Sequence, residues 1–188
     1  MVRHLIITAH PSSKGFTHKI AKAFLHKAHE NGDEAEILDL YNPKYKLDFL
    51  KFEDISKIKE DKIVLEIQDK IRLSDNLVFV SPVWWAMVPS ILKNMIDKVL
   101  TPNFAYKYVA GKAMPKKLLV GKTAQVFMTC DAPGFYIKLI IGNPVKKFFK
   151  MNLGFCGIKL KDYLLLSSKR TRDEKYFDAW LKKVEKKV

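Results

Sequence analysis

The sequence predicts an α/β fold built on a doubly wound, five-stranded parallel sheet with strand order 2-1-3-4-5. Three observations lead there. Apolar strand-like runs alternate with segments of helical spacing, the pattern of a parallel sheet covered on both faces. The strand-like runs are continuously apolar, as in Leu77-Val78-Phe79-Val80, which is how strands buried on both faces read. Five such runs fit within 188 residues, a length that suits one domain spanning 1–188 with a full core.

Each element has its own signal. The first strand covers about Arg3 to Ala9. A helix follows from Phe16 to Asn31, with Ile20, Ala21, Phe24, Leu25 and Ala28 at helical spacing and Gly32 as its stop. Ala35 to Leu40 reads as the second strand, and the charged stretch 41–62 as an irregular excursion. Ile63, Ile67 and Ile71 lie on one face of a helix over 62–73. Leu77 to Val80 is the third strand, and Pro89 stands where the next helix begins. That helix carries the stripe Ile91, Leu92, Met95, Ile96, Val99, Leu100. Thr123 to Thr129 and Lys161 to Ser167 are the remaining strands. A capping-box spacing at Thr171-Arg172-Asp173-Glu174 opens a last helix with Tyr176, Phe177, Trp180, Leu181 and Val184 inward.

Composition narrows the function classes. The chain is 48% hydrophobic and 29% charged, which excludes disorder, and no apolar run is long enough to span a bilayer. The first eight residues read as a strand and not as a signal peptide. Two cysteines cannot make a disulfide framework, so a cytoplasmic protein is expected. The formal charge is +14, from 34 Lys+Arg against 20 Asp+Glu. The lysines are spread along the chain, which argues for steering of anionic cofactors and against a dedicated nucleic-acid partner. His18, His26 and His29 share one helix without a second set of ligands, so they read as surface histidines and no metal site is expected. A nucleophile elbow is absent, which argues against a hydrolase.

In doubly wound sheets ligands bind beyond the carboxyl ends of the strands, at the switch point between strands one and three. Three loops meet there. The first, 10–17, offers a helix N-terminus and the hydroxyls of Ser12, Ser13 and Thr17, which suit a phosphate; an ordinary capped turn fits equally well. It has neither the P-loop nor the dinucleotide glycine spacing. The second, 82–88, sets Trp84 and Trp85 between Pro82 and Pro89, as a wall for a planar ring or a core plug. The third, 129–136, is rich in small and turn residues and ends at Tyr136, a proton donor or a packing tyrosine. Cys130 lacks an activating partner and reads as lining.

Those residues resemble the NAD(P)H:quinone oxidoreductase family of flavoproteins, which has a flavodoxin-like fold. The resemblance runs from strand one to at least Tyr136. It is densest at Ala9-His10-Pro11 with Phe16-Thr17 and at 75–106, DNLVFVSPVWWAMVPSILKNMIDKVLTPNFAY. There Pro82, Trp85, Pro89, Leu92, Lys93, Asp97, Val99, Phe104, Ala105 and Tyr106 match the family pattern. The resemblance implies a tightly bound flavin, FMN or FAD, and NAD(P)H as co-substrate. It implies ping-pong hydride transfer to a quinone-like acceptor, and a homodimer. It places His10, Ser12, Phe16 and Thr17 around the phosphate and ribityl chain. Pro82, Val83, Trp84, Trp85 and Ala86 line the ring, and Thr129, Cys130 and Asp131 its other edge. By the same resemblance, Gln68 would contact the diphosphate of an FAD and Tyr136 would relay a proton. The chain departs from the family at Cys130-Asp131, where a Thr-Gly-Gly run is frequent and Asp131 adds negative charge. It departs at Ala86, which replaces an aromatic, and in the missing histidine partner of Tyr136. A regulatory flavoprotein subunit of a membrane potassium-efflux system, docked near the membrane, and a flavodoxin-type electron carrier are the alternative readings.

Overall fold

The computed structural model describes residues 1–53 and 61–188. Its main sheet has five parallel strands: β1 (Arg3–Thr8), β2 (Glu34–Asp39), β3 (Asn76–Pro82), β6 (Thr123–Thr129) and β7 (Lys159–Leu166). Their order is β2-β1-β3-β6-β7, all neighbours parallel, which is the expected 2-1-3-4-5 order. A short antiparallel hairpin, β4 (Tyr106–Lys107) and β5 (Lys116–Lys117), is inserted before β6.

Alternation along each strand sends side chains to two apolar layers. On one face Leu5, Ile7, Leu77, Phe79, Ala124, Val126 and Met128 meet α2 (Lys62–Leu73), α3 (Ser90–Val99) and α4 (Pro144–Cys156). On the other Ile6, Val78, Val80 and Phe127 meet α1 (Phe16–Glu30) and α5 (Glu174–Glu185) through Phe24, Trp180 and Val184. Every residue of β3 is buried, as its unbroken apolar run predicts. Pro82 is tolerated at the end of this central strand because its missing N–H faces the side where β1 has already stopped, at the pair Thr8–Val80.

A row of polar side chains crosses the sheet near its amino edge. Asn76 Nδ2 donates to His4 Nδ1 (3.0 Å) and to Gln125 Oε1 (2.7 Å). His4 Nε2 lies 3.5 Å from Asp33, and Gln125 Nε2 donates to Asp162 (3.1 Å) and to the Lys187 carbonyl (2.7 Å). A bulge in β7 skips Lys161, so that Asp162 and not a lysine stands opposite Gln125.

Some expectations move. The last helix is capped by Asp173, whose carboxylate accepts from the Tyr176 N–H, while the Thr171 hydroxyl donates to Ser168 O in a preceding turn of 3-10 helix; the cap is two residues later than the capping-box spacing indicates. Pro89 is the residue before α3 and not its first member. His18 is buried, not at the surface, with Nε2 3.2 Å from Asp39. The excursion over 41–62 falls partly on 54–60, outside the described residues; its described part holds one 3-10 turn, Pro43–Tyr45. No helix among the described residues is long and apolar enough to cross a membrane.

Burial lowers the pKa of His4, with Asp33 opposing. Below the ordinary imidazole value the unfolded chain therefore takes up a proton that the folded chain resists. His4's contribution is present above about pH 6.5 and is lost as pH falls through the folded pKa. Urea titrations should show lower stability at pH 5 than at pH 7.5, with the difference reduced in His4→Gln. Asn76→Ala leaves the His4 and Gln125 groups unpaired and should cost about 1–3 kcal/mol at pH 7.5.

Candidate functional site

The carboxyl ends of the strands are zipped together just where the three loops begin. Ala9 N–H donates to Val80 O (3.2 Å), Val83 N–H to Thr129 O (2.7 Å) and Cys130 N–H to Leu166 O (2.8 Å). The three predicted loops therefore emerge side by side, joined by a fourth from the β7–α5 connection.

In the first loop His10 folds back over the start of α1. A Cβ on Gly15 would sit 2.7 Å from His10 Cε1, so only glycine leaves room for the imidazole. His10 Nδ1 lies 3.0 Å from the Ser12 N and 3.1 Å from the Ser12 carbonyl oxygen, so the Ser12 backbone holds the ring in place. Burial holds the His10 pKa below its usual value, with the hydrogen bond to the Ser12 backbone opposing it. Nε2 makes no hydrogen bond among the described residues. No side chain caps α1 and no acidic residue lies in its first turn, so the N–H groups of Phe16 and Thr17 and the positive end of the helix dipole are left for an anion. Ser12 and Ser13 are exposed at the rim, while Thr17 is buried.

The structure differs from the sequence reading at Phe16. Its ring packs on Phe177 (4.7 Å between centroids) and Trp180, away from the cradle, because α5 covers this face of α1. Phe16 keeps only its backbone N–H for a ligand.

The second loop is a tight two-residue turn. Trp84 and Met87 exchange N–H···O bonds of 2.9 Å, and Trp85 and Ala86 at the tip have φ of 49° and 60°. Both therefore adopt the left-handed conformation of a type I′ turn, which favours Asn-Gly and costs side-chain-bearing residues about 1 kcal/mol or more each. Trp85 is fully exposed and Trp84 partly so, while Pro82 is buried within β3. The wall is thus Trp84-Trp85-Ala86, with the N–H groups of Trp85 and Ala86 at its tip. The Val83 N–H is held by Thr129.

In the third loop Thr129 and Cys130 are buried. The Cys130 thiol donates to Ala132 O (3.4 Å) and burial raises its pKa, so it stays a thiol and serves as lining. Asp131 pairs with Arg170 at 3.0 Å, which offsets the negative charge that the sequence places here. Gly134 lies so close to Ser167 that a Cβ would come within 2.8 Å of its hydroxyl. Tyr136 is 44% exposed at the start of a π-helix, Tyr136–Ile140, and its hydroxyl has no partner among the described residues.

Gln68 is not brought to this site. Its buried amide donates to Val99 O (2.9 Å) and Thr101 Oγ1 (3.2 Å), closing the end of α3. That end is about 15 Å along the helix from the second loop. Residues that sequence reasoning missed are Gly15, Arg170 and Ser167. Gly15 was visible only as one more turn glycine, and the other two reach the site from a distant connection that carries no motif. Among the described residues no group of three or more His, Cys, Asp or Glu side chains is placed to hold a metal.

A sheet of this order, with an anion cradle and an aromatic wall at its carboxyl edge, defines the open α/β proteins that bind a ligand at the β1–β3 switch point. The chain belongs to the flavodoxin-like fold family, which matches residues 2–188. It is similar to an uncharacterized NAD(P)H oxidoreductase of Haemophilus influenzae, with 29% identity over 100% of this chain and 94% of that protein. It is also similar to an FMN-dependent NADH:quinone oxidoreductase of Macrococcus caseolyticus, with 26% identity over 93% of this chain and 91% of the relative. A crystal structure of a Streptococcus mutans protein superposes with a TM-score of 0.82 at 26% identity, covering 98% of this chain and 97% of the other.

The strained turn makes a direct prediction. Ala86→Gly removes the left-handed penalty and should raise stability by about 0.5–1 kcal/mol in urea titration, whereas Ala86→Val should lower it by about 1–2 kcal/mol.

Proposed function

We propose that the protein is a flavin-dependent NAD(P)H oxidoreductase that delivers two electrons to quinone-type acceptors. The observation that carries this reading is the pairing, at one sheet edge, of a glycine-dependent anion cradle with an exposed tryptophan wall held in a strained turn. The cradle fits a phosphate. Gly15 clears the space, the His10 ring stands against the helix start, and α1 offers its uncapped N–H groups. The wall fits a flat heteroaromatic ring, and the N–H groups of Trp85 and Ala86 at its tip have no backbone partner among the described residues.

A bound flavin supplies the two-electron centre that accepts hydride from NAD(P)H and reduces the acceptor. The chain's own residues bind it, orient it and exclude water. Two observations favour FMN over FAD. The Macrococcus caseolyticus relative is FMN-dependent. Gln68, expected at a diphosphate, is held inside the protein by the end of α3. Arg170 masks Asp131, so the third loop presents little negative charge to the ring edge. Tyr136 holds a proton on an unpartnered, accessible hydroxyl beside that loop, where an acceptor oxygen can take it. The open face of Trp85 is closed by a second copy of the chain in a homodimer.

The purified protein should be yellow, and the flavin released by denaturation should chromatograph as FMN. NADPH oxidation should depend on added menadione. A colourless protein whose melting temperature does not rise with FMN overturns the proposal. Gly15→Ala should weaken FMN binding at least tenfold in fluorescence titration of the apoprotein while leaving its fold intact. Tyr136→Phe should lower turnover about 10–100-fold with flavin content unchanged.

A further inference from the structure

Lysines are spread along the whole chain, but one stretch has almost no carboxylates to balance them. Residues 98–161 hold twelve lysines, no arginine, and Asp131 as their one carboxylate. That carboxylate is already paired with Arg170 at 3.0 Å. The segment forms the β4–β5 hairpin, β6, the third loop, the π-helix, α4 and the start of β7.

Its outer elements make a continuous surface. Tyr106 of the hairpin packs edge-on against Phe155 of α4 at 4.9 Å, and Leu119 N–H donates to Cys156 O. At the other end of α4, Lys147 Nζ reaches within 3.1 Å of where a Gly142 Cβ would stand, just past the π-helix. Large apolar side chains stand out of this surface instead of packing into it. Phe135 is 64% exposed, Leu139 78%, Ile140 67% and Met151 72%. Lys138, Lys146, Lys147 and Lys150 are exposed among them.

We infer that the π-helix and the outer face of α4 form a docking surface for an anionic lipid bilayer. Leu139 and Ile140 enter the interfacial region while the neighbouring lysines contact the headgroups. The combination specifies the partner. Lysines alone suit any polyanion, but protruding Leu, Ile, Met and Phe between them find no use on a phosphate backbone, and the segment lacks the arginines with which proteins read bases. Apolar residues that insert, flanked by lysines that stay in the headgroups, match an interfacial membrane site. Given the proposed reductase activity, the surface has a use. The third loop runs directly into the π-helix, so docking turns the mouth of the site toward the phase in which lipophilic acceptors dissolve.

Vesicle flotation with the full chain tests the surface without turnover. The protein should float with vesicles containing 30% phosphatidylserine in phosphatidylcholine. It should remain in solution with pure phosphatidylcholine, and it should be released by 0.5 M NaCl. Leu139→Glu/Ile140→Glu should abolish flotation, and Lys147→Glu or Lys150→Glu should each weaken it about fivefold. All these residues are exposed, and the variants should keep the wild-type melting temperature and water-soluble menadione turnover within twofold. Turnover therefore reports on the proposed activity separately from docking. Three results overturn the inference. The first is absence of wild-type flotation on the anionic vesicles. The second is flotation unaffected by Leu139→Glu/Ile140→Glu, including the case in which that variant only halves the solution mass and so marks a contact between copies. The third is binding of the patch to RNA in preference to the vesicles.

Discussion

The side-chain amide of Asn76 holds three strands in step. Its two N–H groups reach His4 on β1 and Gln125 on β6, and the same row extends to Asp33 and Asp162. Parallel strands made only of Val, Ile, Leu and Phe have little to fix their register, because each apolar residue packs almost as well one pair along. A buried polar row has one satisfied arrangement, and every slipped one leaves donors and acceptors dry. A slip of one residue would also move a loop about 3.3 Å along the strand. The row near the amino edge thus sets how the carboxyl edge is laid out. The zipped ends at Ala9–Val80, Val83–Thr129 and Cys130–Leu166 are its far-end result.

That layout lets the loops depart from ordinary backbone rules. Gly15 brings a ring against a helix end, Gly134 brings a backbone against Ser167, and Trp85 and Ala86 hold left-handed angles that neither side chain favours. These departures lie at the candidate site, while Asn103 and Asn143 hold left-handed angles elsewhere, a conformation that asparagine tolerates. A rigid sheet with strain confined to its loops is the pattern expected where geometry serves binding and not stability.

Sheet order and most elements were legible because their signals are local. Ile63, Ile67 and Ile71 mark α2 to the residue, and β6 begins and ends as its apolar run does. The stretch between Tyr136 and the last strand was not legible. α4 buries Val145, Phe148, Phe149, Leu153 and Cys156 at helical spacing, but paired lysines and Gly154 blur its outline, and it begins at a left-handed Asn143 without a side-chain cap. A π-helix has no propensity signature, and a hairpin with two-residue strands is too short for alternation to show. At the site, loop positions could be read from topology, but the direction of a side chain could not. Phe16 sits at the start of the right helix and points toward α5. Gln68 lies on the right face of α2 and is engaged by the end of α3. Asp131 reads as a negative charge beside the ring only until Arg170, 39 residues away in sequence, is placed next to it.

The last link of the polar row is the backbone carbonyl of Lys187, which accepts from Gln125 Nε2. The row therefore joins a central strand to the end of α5, and the sheet cannot reach its final satisfied state during synthesis until residue 187 has been made. Until then the central strands β3 and β6 wait with Gln125 one hydrogen bond short, on a face that α5 has yet to cover. A chain built this way completes its fold after translation has passed α5, and an arrest shortly before that point leaves a central strand exposed to aggregation.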